Sequence, residues 1–454
     1  MRTSGKRFIS YFLAVAIIAS VVAACGNKRS LPRSAPAVAM PVVARRSLPP
    51  LPVRPLSPRL QAVRERAMND ASQTRGLGWQ GGVGMTELSG WEYGTRTKEI
   101  ADVLGTDDLK GLSKLAIAGG VLPEGTDLAS LAVTFTAATA GATYSPLDKQ
   151  VLLLSETSNS KRGPAADRSL LTHEFVHALQ DQHFDLLKML LVRPYNFDRT
   201  EAAFALVEGD AMNVERRLES GDAWARRTLD DIWRQEDERF GAYRKEIGSL
   251  FPPLLTETFV FRYRDGARFV EAMRRSRPAV SVDDLFRRPP ASSEQVLHAE
   301  KYLSNEAPRE VGVNEEAFAG GGWRMAAATP LGEIGVRGLL MAGNSVADAR
   351  RAAAGWGGDR AFVFEREGRA PLFVWQTAWD RREDAQEFFR AYNALERKRG
   401  GSDAGGALAP GGDAQSMWRE GGTLTLVRAE GDAVLVIRGA EADVAPALAM
   451  ALQR

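Results

Sequence analysis

The chain is 454 residues long, with 44% hydrophobic and 26% charged residues. That composition supports a packed core and excludes global disorder, and the length leaves room for two or three domains. A net charge of +2, with no basic stripe interleaved with aromatics, argues against a nucleic-acid partner.

Arg2, Lys6 and Arg7 form a basic start, and Phe8 to Ala24 is an almost unbroken apolar run ending in Val22-Ala23-Ala24-Cys25-Gly26. A basic start, a short apolar stretch and small residues at the cut describe a secretory signal over residues 1–25. An uncleaved anchor helix is the alternative, although the run is marginal in length for a full span. The residues up to Cys25 resemble the lipobox of bacterial lipoproteins. That resemblance implies a lipidated Cys25, a membrane tether through the lipid and a place in the cell envelope. Gly26 stands where aspartate is associated with inner-membrane retention, which implies the outer membrane, on its periplasmic or its surface face. Cys25 is the single cysteine of the chain, so an exported form has no thiols to mispair. Residues 26–60 are rich in Pro, Ser, Ala and Arg and read as a disordered tether.

From about residue 61 the pattern is globular. Helices are expected over Thr97–Leu104 and Thr106–Ala118, and strands over Ala132–Thr136 and Tyr144–Leu154, the latter broken at Ser145-Pro146-Leu147-Asp148. Asp167 or Ser169 can cap the following helix. Further helical runs cover 199–220, 221–248 and Asp265–Arg275. Gly320-Gly321-Gly322 marks a change of character. Strands are expected beyond it at Ala361–Glu365, Leu372–Trp379, Thr423–Ala429 and Ala433–Arg438. Helices are expected at Val346–Ala354 and Arg382–Lys398, and a Gly/Ala/Pro loop at Asp403–Asp413. The expected fold class is α+β: a mainly helical domain with a small sheet over 61–310, then a smaller α+β domain over 311–454. Gly355-Trp356-Gly357-Gly358-Asp359-Arg360 lacks the Gly-Lys-Ser/Thr of a phosphate loop and reads as a turn into a strand.

The chemistry concentrates in the run HEFVH. His173 and His177, four residues apart on a helix, project from one face and can share a metal ion. Glu174 lies about a hundred degrees around the helix. From there it can act as general base on a water molecule and return the proton to a leaving amine. This is the H-E-x-x-H arrangement of zinc hydrolases, and the implied cofactor is Zn2+. The chain has only four histidines: His173, His177, His183 and His298. A catalytic zinc needs a third protein ligand. His183 has the spacing of the metzincin signature, but Gln180 replaces its glycine and the helix looks continuous. Glu208, in the run LVEGDA of the next expected helix, is the favoured third ligand, with Glu201 a weaker alternative. Gly209 beside it suggests a close helix–helix approach. Asp210 and Asp181 are candidates to hold the outer nitrogen of a ligating histidine.

The stretch Thr172 to Phe184 (THEFVHALQDQHF), followed by LVEGDA at Leu206 to Ala211, resembles a group of exported gluzincin-like zinc metallopeptidases of bacteria and archaea, mostly uncharacterised. The likeness continues through FRYRDG (Phe261 to Gly266), SEQVLHAEKY (Ser293 to Tyr302), LGE (Leu331 to Glu333) and GWGGDR (Gly355 to Arg360), and spans roughly residues 70 to 395. It implies a zincin-like fold, zinc and proteolysis of a peptide or protein substrate. It also implies a strand ahead of the metal helix whose edge binds extended substrate. Gln150–Leu154, or all of Tyr144–Leu154, fits that place, and a plain core strand is the alternative. Gluzincins commonly use a His or Tyr toward the oxyanion. His298 and Tyr263 are the candidates here, with Tyr302 nearby, each having a structural reading beside the catalytic one.

Two functions follow as expectations. One is a zinc peptidase on an envelope lipoprotein. The other is a metal-stabilised envelope scaffold that binds without hydrolysis, suggested by a large C-terminal region without catalytic residues. Substrate specificity and oligomeric state have no signature in the sequence.

Overall fold

The structure is a computed structural model describing residues 48–104, 107–139, 141–155, 164–192, 194–276, 281–319, 321–408 and 413–441. The signal, Cys25 and most of the expected tether lie outside the described residues. The architecture is mixed α+β, with a helical region and a separate β-sheet region toward the C-terminus. Two compact units emerge: residues up to Lys110 with Ala129–Pro194, and Gly111–Leu128 with the chain from Tyr195 onward. Among the described residues no helix is long and apolar enough to cross a membrane.

The first unit begins with helix α1 (Pro58–Arg75). Ser57 caps its first turn, proline sits at the first helical position, and Gly76 at φ 78° ends it. Strand β1 (Gly84–Leu88) and helix α2 (Gly90–Leu104) follow. Helix α3 (Asp107–Ala118) comes next, its last turns belonging to the second unit. Helix α4 (Leu128–Thr139) occupies the segment Ala132–Thr136 for which a strand was expected. Five apolar residues are too few to distinguish the two periods, and the Ala and Leu around them favour the helix.

Strands β2 (Ala142–Ser145) and β3 (Gln150–Leu154) form a hairpin across the expected Pro146–Asp148 break. Its turn is held by Ser145 Oγ donating to Asp148 at 2.7 Å and by Arg96 gripping the same carboxylate. The sheet order is β1-β3-β2, with β3 parallel to β1 and antiparallel to β2. Helix α5 (Pro164–Phe184) carries HEFVH and packs along α1, where Arg168 Nη2 donates to Asp70 at 2.7 Å. Every residue from Leu170 to Asp181 is buried. A short helix α6 (Leu186–Leu190) closes the unit.

The second unit is built around helix α7 (Phe197–Ser220), in which every residue from Thr200 to Arg216 is buried. A helix apolar or buried all round belongs in a core. Helix α8 (Leu229–Ile247) starts with a Thr228/Asp231 capping box. Helix α9 (Pro253–Val260) runs through a π-helical turn at Phe261–Asp265 into α10 (Gly266–Ser276). Short helices α11 (Ser293–Leu297) and α12 (Ala299–Leu303) lead toward the C-terminal sheet. That sheet contains β4 (Arg324–Thr329), β5 (Trp356–Glu365), β6 (Leu372–Trp379), β7 (Ser402–Leu408), β8 (Ala414–Glu420), β9 (Thr423–Glu430) and β10 (Ala433–Glu441). Its order is β4-β5-β6-β10-β9-β8-β7, antiparallel throughout. Helices α13 (Gly332–Leu340), α14 (Val346–Ala353) and α15 (Arg382–Lys398) accompany it, and Trp375, Trp379, Phe388 and Tyr392 pack between sheet and α15.

Two expectations of local structure change here. The first part of the expected Asp403–Asp413 loop belongs to an edge strand, Ser402–Leu408, because ladder pairing needs backbone rather than large side chains, and Gly405 at φ 118° sits at its bulge. Strand β5 starts at Trp356, inside the expected glycine turn. The compact units also divide at 110/111, 128/129 and 194/195, so residue 311 lies within the second. Hydrogen bonds tie the segments of this unit together. Phe197 N–H donates to Thr329 Oγ1 at 2.9 Å, Ser293 N–H to Asp198 at 2.8 Å, and Arg309 N–H to Gly357 O at 2.7 Å.

Candidate metal centre

Helix α5 delivers His173, Glu174 and His177, all fully buried. One turn apart, the two imidazoles stand edge to face with ring centroids 4.7 Å apart, and each offers a ring nitrogen within 4.8 Å of the other's. His177 Nδ1 lies 2.8 Å from Gln180 Oε1. An amide oxygen only accepts, so Nδ1 carries the proton and the lone pair sits on Nε2, one of the two tautomers through which histidine ligates zinc. Glu174 is fixed differently. Its Oε2 accepts the backbone N–H of Tyr144 from strand β2 at 2.7 Å. Two neighbouring imidazoles, one with its outer nitrogen held by an amide, and an adjacent carboxylate form a donor set that suits zinc.

Three tyrosine, lysine and backbone donors converge on Asp181, two turns beyond Glu174. It accepts Tyr144 Oη at 2.7 Å, Lys149 Nζ at 2.7 Å and Leu186 N–H at 3.1 Å. Asp181 therefore anchors the hairpin and holds the first N–H of α6, whose N-cap is Asp185; the outer nitrogen of His177 is held by Gln180. Burial and the nearby Asp181 push the Tyr144 phenol upward, so it remains a protonated donor. Tyr93 Oη lies 2.5 Å from Thr143 Oγ1, and burial likewise pushes that phenol up, with the Glu174 charge adding to the effect.

His183 sits at the end of an unbroken α5. Its Nδ1 is 3.1 Å from Gln80 Nε2 and its Nε2 is 2.8 Å from Gly78 O. Both ring nitrogens tie the helix to a loop, which accounts for the residue without metal. Gln150–Leu154 is the central strand, paired on both sides, so it presents no edge to a substrate. Within Tyr144–Leu154 only β2 is an edge strand, and all four of its residues are buried.

The other candidates lie in the second unit. Glu201 is locked in a two-pronged ion pair with Arg262 at 2.5 and 2.6 Å, and Arg262 stacks over Phe204. A carboxylate with both oxygens in a guanidinium fork is a poor ligand candidate. Glu208 is buried on α7, within electrostatic reach of Arg262. Gly209 beside it crosses α10 so closely that an added Cβ would strike Gly266 backbone, the approach expected from sequence. Asp210 is buried on the same helix. Tyr263 lies buried in the π-helical turn, its ring 4.6 Å from that of Phe259.

His298 Nε2 donates to Glu333 at 3.0 Å, and that pairing raises its pKa. The bond links the α11–α12 corner to α13 and accounts for the residue structurally. Tyr302 Oη donates to Arg288 O at 2.9 Å, also a structural bond. Glu294, Glu306 and Asp380 converge as well, but Lys301 Nζ fills their centre at 2.5 to 2.8 Å. Asp359 in the glycine run accepts Leu331 and Gly332 N–H at 2.9 and 2.8 Å, and the indoles of Trp356 and Trp375 at 3.1 and 2.7 Å. The start of α13, where a phosphate would dock, thus holds the chain's own carboxylate.

Gln180, Tyr144 and Tyr93 were not singled out from the sequence. Gln180 had a readable signal, its place one turn after His177. Tyr144 had none, because its contact runs through a backbone N–H thirty residues away from Glu174.

A family model described as a domain of unknown function (DUF8575) matches residues 322–449. The match takes in the C-terminal sheet from β4 to β10 and leaves helix α5 outside it. No curated protein and no solved structure matches the chain.

Proposed function

We propose that the protein is a zinc-dependent metallohydrolase acting on peptides, of gluzincin-like type. The observation that carries this reading is the buried pair His173 and His177 on one helix face, with Glu174 next to it. His173 and His177 would hold the ion, and Glu208 is the proposed third ligand on the strength of its sequence context. When bound, zinc supplies Lewis-acid polarisation of a carbonyl and acidifies water. Glu174 takes the proton of the attacking water and delivers it to the departing amine. Gln180 keeps His177 in the tautomer with its lone pair on Nε2. Tyr263 stays the candidate oxyanion donor, and His298 the second, with its Nε2 committed to Glu333.

The proposal includes a lipidated Cys25 and an envelope location at the outer membrane, both read from the N-terminal sequence. A peptide or protein is the substrate class.

The test measures bound zinc and hydrolysis of a mixed peptide library for wild type and Glu174→Gln. The expected result is zinc in both and cleavage by the variant slowed about 10²- to 10⁴-fold. Zinc without cleavage in wild type, or equal cleavage by the variant, removes the catalytic reading. The complete burial of His173, Glu174 and His177 favours a second reading, a metal-stabilised scaffold. That reading predicts zinc-dependent folding with no turnover in either chain.

A further inference from the structure

Strand β2 is pinned at three successive residues. Thr143 Oγ1 meets Tyr93 Oη from helix α2 at 2.5 Å. Tyr144 Oη donates to Asp181 at 2.7 Å. Ser145 Oγ donates to Asp148 in a turn that Arg96 also grips. The middle residue of the three is the one whose backbone N–H holds Glu174.

The spacing on helix α5 makes this more than a strand packed on a helix. Glu174 and Asp181 are seven residues apart, hence on one stripe and separated by about 10 Å along the axis. Tyr144 spans that separation. Its main chain binds the first acid and its phenol binds the second. Asp181 is in turn fixed by Lys149 at the hairpin tip and by Leu186 N–H beyond the helix end. The Glu174 carboxylate is thereby referenced to its own helix through a closed loop of hydrogen bonds.

We propose that Tyr144 and Asp181 are positioning residues that set the place of the Glu174 carboxylate through the Tyr144 N–H. This deepens, and rests on, the reading of Glu174 as general base. The phenol of Tyr144 and the carboxylate of Asp181 touch no reacting atom in this scheme. They keep strand β2 in register with the helix so that one N–H meets one carboxylate oxygen. Displacing a catalytic group by about 1 Å can cost on the order of a hundredfold in rate. A loosened clamp that leaves the strand pairing intact costs less.

The experiment uses the full chain carrying Tyr144→Phe or Asp181→Asn, each alone and with Glu174→Gln. It measures zinc content, kcat and KM on a peptide that wild type cleaves, and hydrogen exchange of the Tyr144 amide. Each single variant is expected to keep wild-type zinc and a KM within about twofold, and to lose about tenfold in kcat. Exchange at Tyr144 rises in both, and also in Glu174→Gln. Adding Tyr144→Phe to Glu174→Gln lowers the residual rate no further, because the two act as one unit. Unchanged kcat in both single variants overturns the proposal, as does a further tenfold loss in the Glu174→Gln background. If Asp181→Asn does not fold, Tyr144→Phe carries the test. Absence of any wild-type hydrolysis removes the peptidase reading, and the exchange rates then decide the clamp: a Tyr144 amide as slow in Tyr144→Phe as in wild type overturns it.

Discussion

The second compact unit and helix α5 hold their buried acids with different donors. In the second unit arginine does most of the work: Arg262 forks onto Glu201 and Arg274 onto Glu271, while Arg337 and Arg438 each donate once, to Glu333 and Glu396. On helix α5 a backbone N–H grips Glu174, and Asp181 is held by a phenol, a lysine and a backbone N–H. A two-pronged guanidinium occupies both oxygens of a carboxylate and keeps it ionised. A backbone N–H fixes where the oxygen it meets points. The first arrangement suits an acid whose task is to hold a fold together, the second an acid whose position matters to chemistry.

The sharpest way to break this contrast is to neutralise one acid of each kind. Glu174→Gln should cut peptide hydrolysis by about 10²- to 10⁴-fold, read as kcat/KM, while thermal unfolding stays near wild type. Arg262→Ala should do the reverse. It strands Glu201 as a buried charge and should lower stability by about 3–5 kcal/mol in denaturant unfolding, with any loss of zinc following the loss of fold.

Gln180→Ala tests the intermediate case, a neutral group acting on a proposed ligand. It should weaken zinc binding by about 10- to 100-fold in competition with a chelator. His183→Ala removes two ring contacts to the Gly78–Gln80 loop. It should cost about 1 kcal/mol and leave zinc content untouched; a loss of zinc would restore the metzincin-like alternative.

The smallest effect concerns His298. Glu333 raises its folded pKa above the usual value near 6.5. A raised pKa means the pairing contributes fully below the unfolded value and fades as pH climbs through the folded one. His298→Gln should therefore flatten the fall in stability above about pH 6.5, seen by comparing unfolding midpoints across pH with wild type.

What was legible in the sequence follows from how local each feature is. The HEFVH helix, the Arg382–Lys398 helix and the broken Tyr144–Leu154 hairpin carry their period or their turn residues within a few positions. The Gly332–Leu340 helix was not expected, since Gly335 and Gly338 lower the helical propensity of the segment. Each is a site of close packing, where a Cβ would press on Leu331 or on Leu254. Ala132–Thr136 was misread because a short apolar run has no period of its own. The pairing of Glu174 with Tyr144 could not be read at all, since a backbone N–H has no residue identity. In the same way the ring partners of His183 are a carbonyl and a loop glutamine, chosen by the path of the chain. The proposed ligands were found by spacing, and the groups that orient them were found only in three dimensions.

The crossing of α7 and α10 at Gly209 and Gly266 has a consequence for the chain's tolerance to drift. Neither helix has a side chain there, and each backbone fills the notch left by the other. A one-residue slip would drive Asp210 or Glu208 into main-chain atoms. The crossing therefore works as a detent: it indexes α7 along its own axis and admits a single stop. Glu208, one residue from the notch, inherits that registration, so its height on the helix is set by the absence of two methyl groups.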